Sequence, residues 1–211
     1  MTPQPTYIYH ITHVDNLSSI IAADGLRTCR DLRNDDVDYV DIAHETLQDW
    51  RSTKRVLCGP GGVIHDYVPF YFAPRSPMLC AIHNGKVPNY QGGQGQVLHL
   101  VSSVQVVEKS ALSFVFTDGH SRIDFTEFYD DLSDLDELDW QIMKEKYWSD
   151  TNADNDRKRR RQAEFLVHEF FPWGLIDSIG VPGPRMKDRV ESILADSNHK
   201  PLVRICRDWY Y

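Results

Sequence analysis

HDYVPFYFAPRSPML, residues 65–79, is the stretch on which the fold turns. DYVPFYF (66–72) is rich in aromatic and β-branched residues and reads as a strand. Pro69 has no N–H for a ladder, so it places the strand at an edge or marks a bulge. Ser76 can cap a helix and Pro77 suits a first helical turn, which predicts a short helix through about Ile82. Tyr67, Phe70, Tyr71 and Phe72 cannot all face one side of a strand. Half should enter the core, and half are free to stack on a flat ligand ring.

Upstream, YIYHI (7–11) reads as a strand. Asn16 is a suitable N-cap, Leu17, Ile20 and Ile21 follow at helical spacing, and Gly25 suits the helix stop. A helix is expected around His44 to Lys54, followed by a breaker cluster of Gly59, Pro60, Gly61 and Gly62. Downstream, 84–96 reads as a loop, and 97–101 and 113–117 as strands. The acidic stretch 125–148 should contain helix with a solvated face, and 149–160 should be a polar loop. Strands are expected to start at Glu164 and to cover 175–181 and 202–206, with a helix over 184–196. The sum is an α+β chain with mostly antiparallel strands, expected to form a single domain over 1–211.

Composition narrows the function classes. Asp and Glu number 31 against 23 Lys and Arg, giving a formal net charge of −8, which argues against wholesale coating of nucleic acid. A local basic groove remains compatible with it. Cys29, Cys58, Cys80 and Cys206 stand singly, with no C-x-x-C pair, so no metal site is expected. No apolar run reaches the length of a membrane span, and the first residues lack a signal-peptide pattern; a cytoplasmic protein is expected.

Several residues admit both a structural and a chemical reading. Glu164, at a strand start, can point across a cleft or pair with an arginine at an edge. The run Arg157, Lys158, Arg159, Arg160, Arg161 is either a solvated loop or a surface that tracks phosphates. His13 precedes a helix N-terminus, which suits anions, or simply packs the turn. Asp118-Gly119 is explained by turn chemistry, but His120 is not. Arg51 reads locally as a surface helix charge.

Taken in order, ITHVDNL (11–17), Gly25-Leu26, GPGGVIHDYVPFYFAPRSPML (59–79), FVFTDGH (114–120) and RRQAEFLV (160–167) closely resemble DarT, the DNA ADP-ribosyltransferase toxins of bacterial toxin–antitoxin systems. The resemblance covers nearly the whole chain. It implies an ADP-ribosyltransferase fold with two antiparallel sheets framing an NAD cleft. NAD would donate ADP-ribose to a base in single-stranded DNA, in a short sequence context. One branch of the family modifies thymidine and another guanine, and a macrodomain antitoxin removes the mark.

By the same resemblance, Glu164 matches the catalytic glutamate of the QAE motif. Arg51, fifteen residues before Asp66, matches the catalytic arginine. His13 and Asn16 match the nucleotide-binding segment. Tyr71 and Met78 fall in the block lining the nicotinamide and base side, and His120 lies near the substrate. The run 157–161 occupies the loop that recognises substrate in this fold. Glu164 would then stabilise the positive charge growing on the ribose, and Arg51 would favour a deprotonated thymine ring. Two other readings differ in class. One keeps the fold but passes ADP-ribose to guanine, RNA or water; the other is a non-catalytic module that binds single strands and leaves NAD untouched.

Overall fold

The computed structural model describes every residue except His44, and at 45–47 it describes the backbone alone. Its elements, in chain order, are β1 (Tyr7–His13), α1 (Leu17–Ala22), β2 (Gly25–Arg27), α2 (Cys29–Asn34) and α3 (Glu45–Arg51). Then come β3 (Tyr67–Tyr71), α4 (Pro77–His83), β4 (Val97–Ser103), α5 (Val104–Lys109), β5 (Phe114–Thr117) and β6 (Phe128–Tyr129). The rest are α6 (Trp140–Lys144), α7 (Arg157–Arg160), β7 (Glu164–His168), β8 (Phe170–Pro172), β9 (Ser178–Val181), α8 (Pro184–Ile193) and β10 (Leu202–Ile205). The helix expected from His44 is thus described from Glu45; His44 itself lies outside the described residues.

Ten strands form an eight-stranded sheet, ordered β10-β9-β4-β1-β3-β7-β5-β6, and a small β2-β8 pair. All pairings are antiparallel except β9 with β10. The two expected sheets are therefore two halves of one, and the join is thin. β1 pairs with β4 along seven residues but with β3 only at Tyr9↔Tyr71.

Pro69 explains the thin join. It sits in an interior strand rather than at the expected edge, opposite Leu166 of β7. Its carbonyl accepts a hydrogen bond from His10 Nδ1 of β1 at 2.8 Å. The C=O and the missing N–H of a strand residue point the same way. Pro69 therefore offers β1 no donor, and its acceptor is occupied by a side chain. The ladder stops there and the sheet opens.

The core packs around the β3–β7–β5 half. Phe72, Phe116, Phe165 and Trp140 meet with centroid separations of 5.5–6.5 Å. Such tilted and stacked contacts add to the apolar area that these rings bury. α4 starts as its sequence predicts: Ser76 Oγ accepts from the Leu79 N–H at 3.1 Å and Pro77 opens the first turn.

Two start-and-stop expectations are corrected. Asn16 makes no side-chain capping bond; its amide is used elsewhere. Gly25 is not the helix stop either. The helix ends at Ala22, Asp24 takes the left-handed conformation (φ 55°), and Gly25 opens β2. A Cβ at Gly25 would collide with the Phe170 ring and the Phe171 carbonyl, so glycine is required for β2 to approach β8. The acidic stretch 125–148 holds β6, a 3-10 turn over Leu132–Glu137 and α6. Its carboxylates are partly structural, since Asp139 accepts from the Gln141 and Ile142 N–H groups that open α6. Among the described residues, no helix is long and apolar enough to cross a membrane.

Candidate active site

A cavity of about 400 Å³ lies at the opening of the sheet. Its wall includes His10, Ile11 and Thr12 on one side of the opening and Pro69, Tyr71 and Glu164 on the other. Most of the remaining lining is apolar, drawn from α1, α4 and the 37–43 segment. The size and the few convergent polar groups are those of a small-molecule site.

The polar centre is an ion pair. Glu164 is the first residue of β7, directly across from Tyr71 of β3. Arg51, the last residue of α3, donates from Nη1 to Glu164 Oε1 at 2.7 Å. The side chains are only 15% and 7% exposed, so the pair is desolvated and each charge depends on the other. The second carboxylate oxygen is held too: Ser121 Oγ donates to Oε2 at 2.8 Å. The Glu164 N–H donates to Thr117 Oγ1 (3.1 Å), whose hydroxyl in turn donates to the Gly119 carbonyl (2.8 Å). The carboxylate is fixed from both sides and from its own backbone. A carboxylate fixed in this way can stabilise positive charge that develops beside it without having to reorganise.

His120, Ser121's neighbour, lines the cavity. Its Nδ1 accepts the Arg122 N–H at 3.3 Å, which assigns the proton of a neutral ring to Nε2. Burial lowers its pKa below the ordinary 6.5; Glu164 opposes that, while Arg51, Arg122 and Lys158 add to it. His120 therefore enters the site as a neutral N–H donor near pH 7. Burial, with the Glu164 charge adding, pushes the Tyr71 phenol well above its usual value, so Tyr71 also stays neutral.

Tyr71, Met78, Asn16, His120, Arg51 and Glu164 all line the cavity. Asn16 does so with its amide already engaged. Its Nδ2 donates to the Val40 carbonyl (3.0 Å) and Thr12 Oγ1 (3.2 Å), and its Oδ1 accepts the Val40 N–H (2.8 Å). This side chain pairs with Val40 as a neighbouring strand would, and fastens the 37–43 wall. His13 is not in the lining. It is 7% exposed, its Nδ1 accepts the Asp15 N–H at 3.2 Å, and its ring meets Tyr90 edge-on. The lining histidine of β1 is His10.

The basic run departs most from expectation. Four of its five residues are tied internally rather than presented to a phosphate chain. Arg157 donates to the Ser149 and Tyr147 carbonyls. Arg159 pairs with Asp156 and Asp118 at 2.8 Å each, and Arg160 with Asp139 and Asp154. Arg161 is 3% exposed and donates to the carbonyls of Ile142, Met143 and Arg75. Lys158 alone in the run is exposed. The expected polar loop runs through Asp156 and ends in one helical turn, α7. It braces the neighbouring loop: the Arg159 carbonyl accepts the His120 N–H at 3.0 Å.

Ser121 is not singled out by the sequence, and His10 reads there as a structural strand residue, whereas it lines the cavity. FVFTDGHS placed a histidine after the turn, but nothing local shows that the next hydroxyl reaches residue 164. We expect Ser121→Ala to lower kcat about 10-fold, in line with loss of one charge-assisted hydrogen bond of about 1.5 kcal/mol, with KM little changed. Steady-state kinetics check this; an unchanged kcat would remove Ser121 from the constellation.

Comparison with known proteins gives a consistent picture. Residues 9–211 match the family model described as "ssDNA thymidine ADP-ribosyltransferase, DarT". A DNA ADP-ribosyl transferase of Thermus sp. (strain 2.9) is 44% identical over 211 residues, spanning 99% of this chain and 98% of its own. That of Escherichia coli O127:H6 is 32% identical over 211 residues, spanning 100% and 96%. The structure of Thermus sp. 2.9 DarT in complex with ADP-ribosylated ssDNA matches with a TM-score of 0.93 at 44% identity, covering 100% of this chain and 99% of that one. The same protein in complex with NAD+ matches with a TM-score of 0.90 at 43% identity, covering all of both chains. The chain belongs to the DarT family of single-stranded DNA thymidine ADP-ribosyltransferases.

Proposed function

We propose that this chain transfers ADP-ribose from NAD to the ring nitrogen of a thymine in single-stranded DNA, using Glu164 and Arg51 as catalytic residues. The observation that carries the reading is the Arg51–Glu164 pair (2.7 Å), set in the wall of a cavity at the sheet opening. A mostly apolar cavity with a carboxylate fixed at its polar centre suits a dinucleotide whose reactive sugar carbon must meet an anion. Similarity to a relative whose structure holds NAD+ supports the same use of the cavity here.

The bond between the ribose anomeric carbon and the nicotinamide nitrogen breaks, and the electron pair leaves with nicotinamide. Glu164, oriented by Ser121, stabilises the positive charge this leaves on the sugar. The thymine ring nitrogen then bonds to that carbon and gives up its proton, which Glu164 is placed to receive. Arg51 keeps its own proton and stabilises the base as it becomes anionic. The neutral His120 can donate from Nε2 to a base carbonyl where that charge spreads. Tyr71 and Met78 line the nicotinamide and base side, and Asn16 acts by holding the 37–43 wall.

A duplex hides the pairing nitrogen, which favours a single-stranded acceptor. Lys158 is the residue of the basic run that is free to meet its phosphates, with exposed Arg122 nearby in the His120 loop. We expect transfer to weaken steeply with salt. Lys158→Gln should reduce the slope of log(kcat/KM) against log[salt] by about 1, while the arginines of the run should matter chiefly for loop order. An unchanged slope would remove Lys158 from the phosphate path. In the cell such a reaction makes the protein a toxin that blocks replication in the cytoplasm, with a macrodomain antitoxin as the partner that reverses it.

The test is incubation of the protein with NAD and defined oligonucleotides, read by mass spectrometry. A gain of one ADP-ribose on thymidine-containing single strands supports the reading. Transfer to guanine or RNA moves the acceptor, nicotinamide release without DNA modification makes the protein a hydrolase, and binding without turnover makes it a non-catalytic module.

A further inference from the structure

We infer that Phe125 is the stacking platform for the base beside the target nucleotide in the single-stranded substrate; this rests on the transfer reading above. Phe125 is 67% exposed, among few large apolar side chains left in water. It stands on the loop that carries His120 and Ser121, between the turn at Asp118 and β6.

That loop is not slack. Thr126 Oγ1 donates to the His120 carbonyl (2.9 Å), and the Glu127 N–H donates to Asp118 Oδ1 (2.9 Å). The Ile123 and Thr126 N–H groups close two further turns, at 2.9 and 3.0 Å. Behind the phenyl ring lies the Arg159 guanidinium, 5.0 Å from the centroid. Arg159 is itself held by Asp118 and Asp156 and is 12% exposed. The ring is thus backed by a planar group that has no freedom to leave, and most of it faces solvent.

An exposed aromatic on a braced loop has little entropy to lose when a flat partner arrives. A strand that turns its target thymine into a pocket leaves the neighbouring base without its stacking partner, and an aromatic ring restores that contact. Charge fits the same occupant. Arg122 and Lys158 are exposed in the same region, and the carboxylate that precedes the ring in the chain, Asp124, lies 3.7 Å from Lys54 Nζ.

The test pairs Phe125→Ala and Phe125→Trp with a scan of abasic sites around the target thymidine. Two readouts are taken: binding of a labelled oligonucleotide by anisotropy, and transfer kinetics. Phe125→Ala should raise both the Kd and the KM for DNA about 10-fold, the usual cost of one lost base–aromatic contact. Phe125→Trp should stay near the wild type. At one position next to the target, an abasic site should cost the wild type as much and add nothing to Phe125→Ala. Unchanged DNA affinity in Phe125→Ala overturns the inference, as does equal damage in both variants, which would mean a structural role. If the wild type binds DNA without transferring, the transfer reading fails while anisotropy still decides on Phe125. If it does not bind DNA, both fall.

Discussion

Glu164→Gln should lower the rate of ADP-ribose transfer by about 10²–10³, the usual cost of one preorganised electrostatic contact. Glutamine keeps the shape and can still accept from Ser121. What it lacks is the charge. The donor's ribose is neutral at its anomeric carbon before the reaction and positive at the transition state, so the loss should fall on kcat rather than on KM for NAD. Single-turnover mass spectrometry at saturating NAD separates the two, with circular dichroism to verify the fold. A Glu164→Gln protein that transfers within about threefold of wild type is incompatible with this role, since charge loss at the reacting carbon predicts far more.

Arg51→Ala should be similarly damaging, with a fall of about 10²–10³ in kcat/KM. The variant leaves Glu164, 7% exposed, with Ser121 as its remaining side-chain partner. Removing one member of a desolvated pair typically costs about 3–5 kcal/mol because the other charge is stranded. Both residues border the cavity and are partly open to it, so the stability loss should sit below that range. Arg51→Lys keeps a charge but loses the rigid fork, and should recover only part of the rate. Glu164 and Arg51 should behave as a unit, so the double variant Arg51→Ala/Glu164→Gln should lose little more than the worse single one. Fully additive losses would mean that the two act in separate steps.

How much of this was legible beforehand depended on the distance between partners. The β3–α4 passage could be read directly, because Ser76 and Pro77 act within one turn of themselves. The strands from Tyr7, Val97, Phe114 and Glu164 followed from local composition. The β2–β8 pair did not, because three-residue strands carry too little pattern. Pro69 suggests an edge strand or a bulge and instead lies in an interior strand, because which neighbour loses its ladder depends on tertiary pairing. Arg51 and Glu164 lie 113 positions apart, and only the ordered motifs of a family connected them. The basic run misled for the same reason. Arg160 meets Asp139, and Arg159 meets Asp118, 21 and 41 positions away. A row of cations looks free until its carboxylates are brought to it.

The single rung between β1 and β3 has a mechanical consequence. A sheet resists twisting between neighbouring strands through the backbone bonds that tie them. In this chain seven registered pairs tie β1 to β4 and five tie β3 to β7, but the two halves share one. Within the sheet, compliance is concentrated along a line that runs through the reactive cleft. A small rotation of one half against the other loads the Tyr9↔Tyr71 rung and leaves the other ladders at rest. The same withheld proline donor that creates the cavity thus also makes its width the most easily adjusted dimension of the sheet.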